Sequence, residues 1–203
     1  FVDGAYRVSG SSKFGKDRRF APFWSVGIGW NAHNESFLAN TGLFDIFRIR
    51  GSVGYTGSVN FSDYQAITTY KYSQDNNYLI GMGALPLAMG NDRLKWQTTV
   101  KYNLGATVEM FGGRLSANFD IYKEDTKDLL LSISTPPSIG VNNVMDNLGE
   151  TGNWGYEWSV SGLLVRTNDL YWRLGISGHH TENKLKKISN SMKRQNDSAM
   201  KET

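Results

Sequence analysis

The sequence contains no cysteine and only 4 prolines in 203 residues. Without cysteine there can be no disulfide framework, thiolate metal site or nucleophilic thiol, which excludes several classes of enzyme. Aromatic residues make up 13% of the chain and glycine occurs 22 times. This balance favours strands joined by tight turns over long helices, and it predicts an all-β protein.

Long apolar runs and an excess of one charge are also missing. No stretch of about 18 apolar residues occurs, so the sequence has no candidate transmembrane helix. The net charge is +3, with basic residues spread between acidic ones, and this pattern does not indicate nucleic-acid binding. The strand-like start at Phe1 and the polar stretch from Lys184 to Thr203 suggest that the chain is a fragment.

The strongest positive signal is an alternation of apolar and polar residues, which is typical of strands because successive side chains point to opposite faces. The even positions from Val100 to Met110 are all apolar, whereas the odd positions from Thr99 to Glu109 are polar or glycine. The alternation resumes at Leu115 after the pair Gly112-Gly113, which predicts a hairpin. About seven strands are expected, and the others lie near Val2–Val8, Trp24–Asn31, Phe47–Tyr55, Tyr156–Leu164 and Leu170–His179.

Two architectures have strands with one apolar face: a soluble β-sandwich and a transmembrane β-barrel. Sandwich strands usually run about 5 to 6 residues, whereas several here keep the pattern for roughly 9 to 13, which suits a tilted strand crossing a bilayer. Tryptophans such as Trp24 and Trp172 mark the apolar faces, as in an interfacial girdle. The pattern favours an antiparallel transmembrane barrel, and a secreted carbohydrate-binding sandwich remains the alternative.

The lengths of the predicted connections provide a second test, because outer-membrane barrels have short periplasmic turns and longer outer loops. The short connections are Gly112–Gly113 and Thr167–Asp169, and the long ones are Ser9–Arg19, Gly57–Arg93 and Ser132–Gly152. Strand parity places the three long connections on one side. The exception is Ala32–Gly42, which is rather long for a periplasmic turn.

No catalytic or metal-binding cluster is predicted, so we expect neither an enzyme nor a resident cofactor. His33 falls in a predicted turn, and His179 and His180 point to opposite faces of one strand, so these two cannot chelate one metal ion together. The mixed charges of Lys123–Asp128 are interpreted as a solvated rim where a strand leaves the membrane.

The connection Gly57–Arg93 is the best candidate for ligand or partner binding, since aromatic faces beside amide groups suit sugars or peptides. A polar surface loop without a ligand explains the same composition. The candidate residues are Tyr64, Tyr70, Tyr72, Tyr78, Asn76 and Asn77.

Several blocks resemble, in order, the SusC/RagA-type TonB-dependent outer-membrane transporters. The blocks are Gly10–Gly15 (GSSKFG), Arg19–Trp30, Glu35–Phe37, Arg48–Gly57 (RIRGSVGYTG), Leu94–Thr99 (LKWQTT), Tyr122–Leu130 (YKEDTKDLL) and Asn147–Glu157. Departures are small: Ser9 and Trp24 stand where the family usually has aspartate and proline.

The resemblance implies that residues 1–203 form about seven strands from the C-terminal half of a plugged barrel of about 22 strands, with the plug and the remaining strands outside this chain. It implies TonB-dependent import of a glycan or an oligopeptide across the bacterial outer membrane. The implied partners are a SusD-type surface lipoprotein acting as a lid, a TonB-type energy-coupling protein, the ligand and outer-membrane lipid. A passive porin is the alternative within the membrane class.

Overall fold

A computed structural model describes residues 1–14, 16–78 and 81–188, and only the backbone of residues 16 and 73–78. The described residues form nine strands: β1 (Val2–Gly10), β2 (Phe20–Asn31), β3 (Phe44–Ser58), β4 (Thr69–Tyr78), β5 (Gly81–Ala88), β6 (Gln97–Met110), β7 (Leu115–Ser134), β8 (Asn143–Arg166) and β9 (Tyr171–Ile188). The helical segments are three 3-10 turns, Lys16–Arg18, Ala32–Asn34 and Pro137–Ile139, and the α-helix α1 (Ser36–Ala39). Among the described residues, no helix is long and apolar enough to cross a membrane.

Seven of these strands form one antiparallel sheet in the order β1-β2-β3-β6-β7-β8-β9. They are the seven strands that the alternation predicts, so the all-β antiparallel fold is confirmed. β4 and β5 form a separate two-stranded hairpin between β3 and β6. The order of the strands in the large sheet is therefore their order along the chain, as in a meander.

One end of the sheet, which we call the turn end, carries the tight connections at residues 111–114 and 167–170. Phe111, Gly112 and Gly113 all have positive φ angles, which two glycines make favourable. In the second turn, the backbone N–H of Leu170 donates to the Thr167 hydroxyl over 3.0 Å. The predicted hairpins are confirmed at both places.

The connection after β2 also lies at the turn end, and it is longer than the two hairpin turns. Residues 32–43 contain the 3-10 turn Ala32–Asn34 and the helix α1. His33 lies in the 3-10 turn, as predicted, and its Nδ1 lies 3.2 Å from the carbonyl oxygen of Phe47. Two short helical turns thus account for the length of this connection.

The opposite end, which we call the loop end, carries residues 11–19, 59–96 and 135–142. The predicted boundaries of two loops are wrong here. Ser132–Gly152 is largely strand, because the ladder between β7 and β8 continues to the pair Ser134–Asn143. The loop itself is only 135–142, where Pro136 and Pro137 lack the N–H groups that would extend the ladder. Gly57–Arg93 is likewise not a single loop, because it contains the hairpin β4–β5.

Candidate functional site

The register of the large sheet sorts its side chains onto two different surfaces. One surface, the apolar face, is built from matched positions of all seven strands, for example Ile28, Gly51, Leu104 and Ile121 in one row. Its side chains are exposed, with Ile28 at 61% and Leu104 at 55%. The apolar positions of the alternation in β6 and β7 share this face, namely Val100, Leu104, Val108, Leu115, Phe119 and Ile121. An exposed apolar surface of this extent needs lipid or a partner to cover it.

The other surface, the polar face, carries a hydrogen-bonded network across three strands. The guanidinium of Arg50 in β3 donates to both carboxylate oxygens of Asp120 in β7, over 2.6 and 2.8 Å. Arg50 also donates to the Thr107 hydroxyl of β6 over 3.3 Å, and that hydroxyl donates to Asn118 over 3.0 Å. One guanidinium nitrogen, Nη2, donates to both oxygens and Nη1 donates to Thr107, so these charge-assisted bonds connect all three strands.

A glycine between the two partners makes this network possible. Arg50, Gly105 and Asp120 stand in one row of the register, with Gly105 in the middle strand. A Cβ atom at Gly105 would collide with the Asp120 carboxylate and with the Arg50 side chain. The ion pair can therefore cross β6 only because position 105 has no side chain.

The loop end holds a small hydrophobic core that joins segments far apart in sequence. Phe14, Phe61 and Leu94 are buried, and Trp96 packs against them. The Phe14 ring lies 5.2 Å from that of Phe61 and 5.0 Å from that of Trp96, between ring centroids. This cluster shows that the first and second loops lie at the same end of the sheet, as the alternation of lengths predicts.

Hydrogen bonds tie the same loops to the extended part of β8. The Asn147 side chain accepts from the backbone N–H of Lys95 over 3.0 Å and donates to the carbonyls of Lys95 and Asp128 over 3.0 and 2.8 Å. Asn91 donates to the carbonyl of Met145 over 3.0 Å. The loop end is therefore a packed platform, held by side chains as well as by the ladders.

The six predicted binding residues fall into separate parts of this platform. Tyr70 and Tyr72 stand two residues apart on β4, on the same face of the hairpin, and are 64% and 74% exposed. The backbones of Asn77 and Tyr78 pair with Met82 and Gly81. The side chains of Asn76, Asn77 and Tyr78 lie outside the described part of the chain.

Tyr64 lies in the loop before the hairpin, with a positive φ of 67° and 71% of its surface exposed. It lines a cavity of about 490 Å³, and none of the described side chains of the hairpin lines that cavity. Lys13, Arg19 and Asp63 line the same cavity, and the Lys13 ammonium lies 3.1 Å from the Asp63 carboxylate. Sequence reasoning missed Lys13 and Arg19, because charged residues some 50 positions away in sequence carry no local signal of contact.

The remaining polar candidates occupy the places that the pattern predicts. His179 pairs with Glu157 on the polar face, and His180 pairs with Tyr156 on the apolar face, so the two histidines point apart. The described residues contain no group of three His, Cys, Asp or Glu side chains that could hold a metal ion. The predicted charged rim forms partly exposed ion pairs, among them Lys101–Glu124 and Lys95–Asp128, both at 2.7 Å.

Comparison with known proteins places this two-faced sheet in a family. The model of the TonB dependent receptor-like β-barrel family matches residues 2–197. The chain belongs to this family, whose members reside in the bacterial outer membrane. The resemblance to the SusC/RagA type is confirmed by the relatives and structures that follow.

Among the relatives, TonB-dependent receptor P3 of Formosa agariphila is 32% identical over 184 residues, which are 90% of this chain and 18% of the relative. TonB-dependent receptor SusC of Bacteroides thetaiotaomicron is 31% identical over 193 residues, with 90% and 19% covered. The solved structure of the RagAB peptide transporter matches with a TM-score of 0.85 and 26% identity, over 94% of this chain and 21% of that one. The closed-closed state of the RagAB peptide importer matches with the same TM-score over 93% and 20%. This chain therefore spans about a fifth of the length of the proteins it resembles.

Proposed function

We propose that the whole protein imports a bulky nutrient, a glycan or an oligopeptide, across the bacterial outer membrane by TonB-dependent active transport. Residues 1–203 supply seven neighbouring strands of a barrel of about 22 strands. A SusD-type lipoprotein covers the loop end, and a TonB-type protein acts through a plug encoded outside this segment. The protein is a transporter and not an enzyme.

The observation that carries this proposal is the division of one sheet into an exposed apolar face and a networked polar face. Lipid covers the first in a closed barrel, and the second lines the lumen. The Arg50–Asp120 pair and its neighbours then form a wall against which a plug or a ligand moves. A β-sandwich is disfavoured, because it would bury the face on which Leu104 is 55% exposed.

The loop end is the proposed site of ligand and lid contact. Its packed core around Phe14, Phe61 and Leu94 gives the exposed tyrosines a rigid base. We include Tyr64, Tyr70, Tyr72, Asn76, Asn77 and Tyr78 among the residues that contact the ligand or the lipoprotein. Similarity to SusC and to RagAB supports the lipoprotein partner, and the description of RagAB as a peptide importer supports an oligopeptide ligand.

Uptake by the full-length protein tests the proposal. Cells that carry the gene should grow on an oligosaccharide or oligopeptide too large to pass a general porin, and deletion of the gene or loss of the energy coupler should abolish this growth. Purified protein in proteoliposomes should not leak small sugars. Free leakage together with growth that does not depend on the coupler would instead identify a passive porin.

The orientation is tested separately by thiol labelling, which this cysteine-free segment permits. Ser62→Cys and Ser138→Cys lie at the loop end and Asn168→Cys at the turn end, all at exposed positions. An impermeant maleimide on intact cells should label the first two variants and reach Asn168→Cys only after the outer membrane is permeabilised. Labelling of Asn168→Cys on intact cells would contradict the proposed orientation.

A further inference from the structure

The apolar face contains a groove that reaches the loop end. The groove has a volume of about 750 Å³ and crosses strands β2 to β9. Its depth has a local cause: Gly51 stands between Ile28 and Leu104 in the register, and it leaves a gap in a row of large side chains. Its apolar lining includes Val26, Ile28, Val53, Tyr102, Leu104 and Ile121.

The polar end of this groove is basic. Lys123, Lys184 and Lys186 line it, together with Asp125. The register places two more lysines on the same face just beyond, and we call the five residues the lysine rim: Lys123, Lys127, Lys184, Lys186 and Lys187. The carboxylates on this part of the face are Asp125, Glu150 and Glu182, so positive charge is in excess.

The ion pairs within the rim hold the lysines in place without using all of their donors. Lys186 contacts Asp125, and Lys123 lies 3.8 Å from the same carboxylate. The Lys186 side chain crosses β8 above Gly152, where an added Cβ atom would collide with it. The side chains of Lys123, Lys184 and Lys186 remain 60%, 66% and 43% exposed. Because each ammonium has three N–H donors, a lysine bound to one carboxylate can still bind an anion.

The order of these features along the strands matches a membrane interface. An apolar face covered by acyl chains gives way, toward the loop end, to a row in which Tyr102, Lys123 and Trp154 pair, and then to the other lysines of the rim. Aromatic residues of this kind sit at headgroup level, and lysines there attract anionic lipid. A protein partner would not require a groove that is apolar at one end and cationic only at the other.

We propose that this groove binds one membrane lipid with an anionic phosphate headgroup, whose acyl chain lies along Gly51 and Leu104 and whose phosphate lies between Lys123, Lys184 and Lys186. The lipid joins β7, β8 and β9 at a level where the strands leave the bilayer. This site is separate from the lumen and from the transported ligand.

The test uses full-length protein, delipidated in a nonionic detergent, and native mass spectrometry with phosphatidylglycerol or phosphatidylcholine of identical acyl chains. We expect one phosphatidylglycerol to be retained at lipid concentrations at which phosphatidylcholine is lost. The triple variant Lys123→Gln, Lys184→Gln, Lys186→Gln should weaken this binding about 10-fold or more, as expected for lost charge-assisted contacts. The control is Lys101→Gln, since Lys101 has a similar ion pair with Glu124 but stands on the polar face, and it should bind normally.

A second variant, Gly51→Leu, fills the groove and keeps the face apolar. The nearest side-chain atoms lie 3.6 and 3.9 Å from a Cβ there, so a Cβ fits without a clash. Heat-modifiable migration on gels will check that the variant folds. It should weaken phosphatidylglycerol binding with all lysines present. Equal retention of both lipids, or displacement of phosphatidylglycerol by equimolar inorganic phosphate, would overturn the proposal. The proposal would also be overturned if the protein retained neither lipid and formed a dimer that the triple lysine variant could not form. The face would then be an interface between two copies of the protein.

Discussion

The polar face and the lysine rim share one local arrangement, an ion pair that crosses a strand above a glycine, but the two ion pairs differ in what they leave free to bind. On the polar face, Arg50 reaches Asp120 across Gly105 of the strand between them. The guanidinium binds both oxygens and also holds Thr107, so its donors are directed at named partners. The result is a fixed network that ties β3, β6 and β7 together on the polar face.

At the lysine rim, Lys186 reaches Asp125 across Gly152 in the same way. An ammonium has no fixed fork, however, and the Lys186 side chain stays 43% exposed. A glycine in the middle strand thus permits an ion pair between the two flanking strands on either face of the sheet. The choice between arginine and lysine then decides whether the pair is a closed structural link or an open site for an anion.

The largest expected change in the free energy of unfolding comes from placing an arginine on the apolar face, compared with an arginine at the neighbouring position on the polar face. Leu104→Arg places a charge on the apolar face and should cost roughly 2 to 4 kcal/mol of folding free energy if that face meets lipid. Asn103→Arg adds the same charge on the polar face and should be tolerated. Urea unfolding of the full-length protein in phospholipid vesicles measures both, and equal destabilisation would refute the assignment of the faces.

A smaller effect is expected from filling the gap that the polar-face ion pair crosses. Gly105→Ala should separate Arg50 from Asp120 and cost about 1 to 2 kcal/mol, the usual range for hydrogen bonds to charged groups at a partly exposed site. Gly54→Ala is the matched control on the same face, because the nearest atom there lies 3.6 Å from the added Cβ. In the same assay, the free energy of unfolding of Gly105→Ala should be lower than that of the wild type, and that of Gly54→Ala should equal or exceed it.

The smallest effect should come from removing one hydroxyl of the network while keeping the shape of the side chain. Thr107→Val leaves Arg50 and Asp120 paired but removes the link to Asn118, which should cost about 1 kcal/mol or less. Thr56→Val, also on the polar face, serves as the control for the change in polarity alone. If Thr107→Val were as costly as Gly105→Ala, the hydroxyl and not the ion pair would carry the network.

Much of this fold could be predicted, because each strand records its two environments in its own alternation. Val100–Met110 and Leu115–Ile121 define both faces without any long-range information. The extension of β7 and β8 could not be predicted in this way. Beyond Lys123 charged residues occupy both faces, and the period of two therefore loses its contrast although the ladder continues to Ser134.

The candidate site was less accessible to prediction for a related reason. Tyr70 and Tyr72 could be selected from local composition, and both side chains are exposed. The cavity beside Tyr64 depends on Lys13 and Arg19, which reach it only because the first and second loops share a hydrophobic core. Contacts set by packing between distant loops leave no periodic trace in the sequence.

The unequal connections at the two ends of the sheet also set an order of events in time. The turn at residues 111–114 closes β6 on β7, and the turn at 167–170 closes β8 on β9. Such hairpins form within about 1 to 10 μs, because few residues must be ordered to bring the strands together. The segment 59–96 separates β3 from β6, so that pairing requires a much longer loop to close. We therefore expect the β6–β7 and β8–β9 hairpins to form first and the pairing of β3 with β6 to form last.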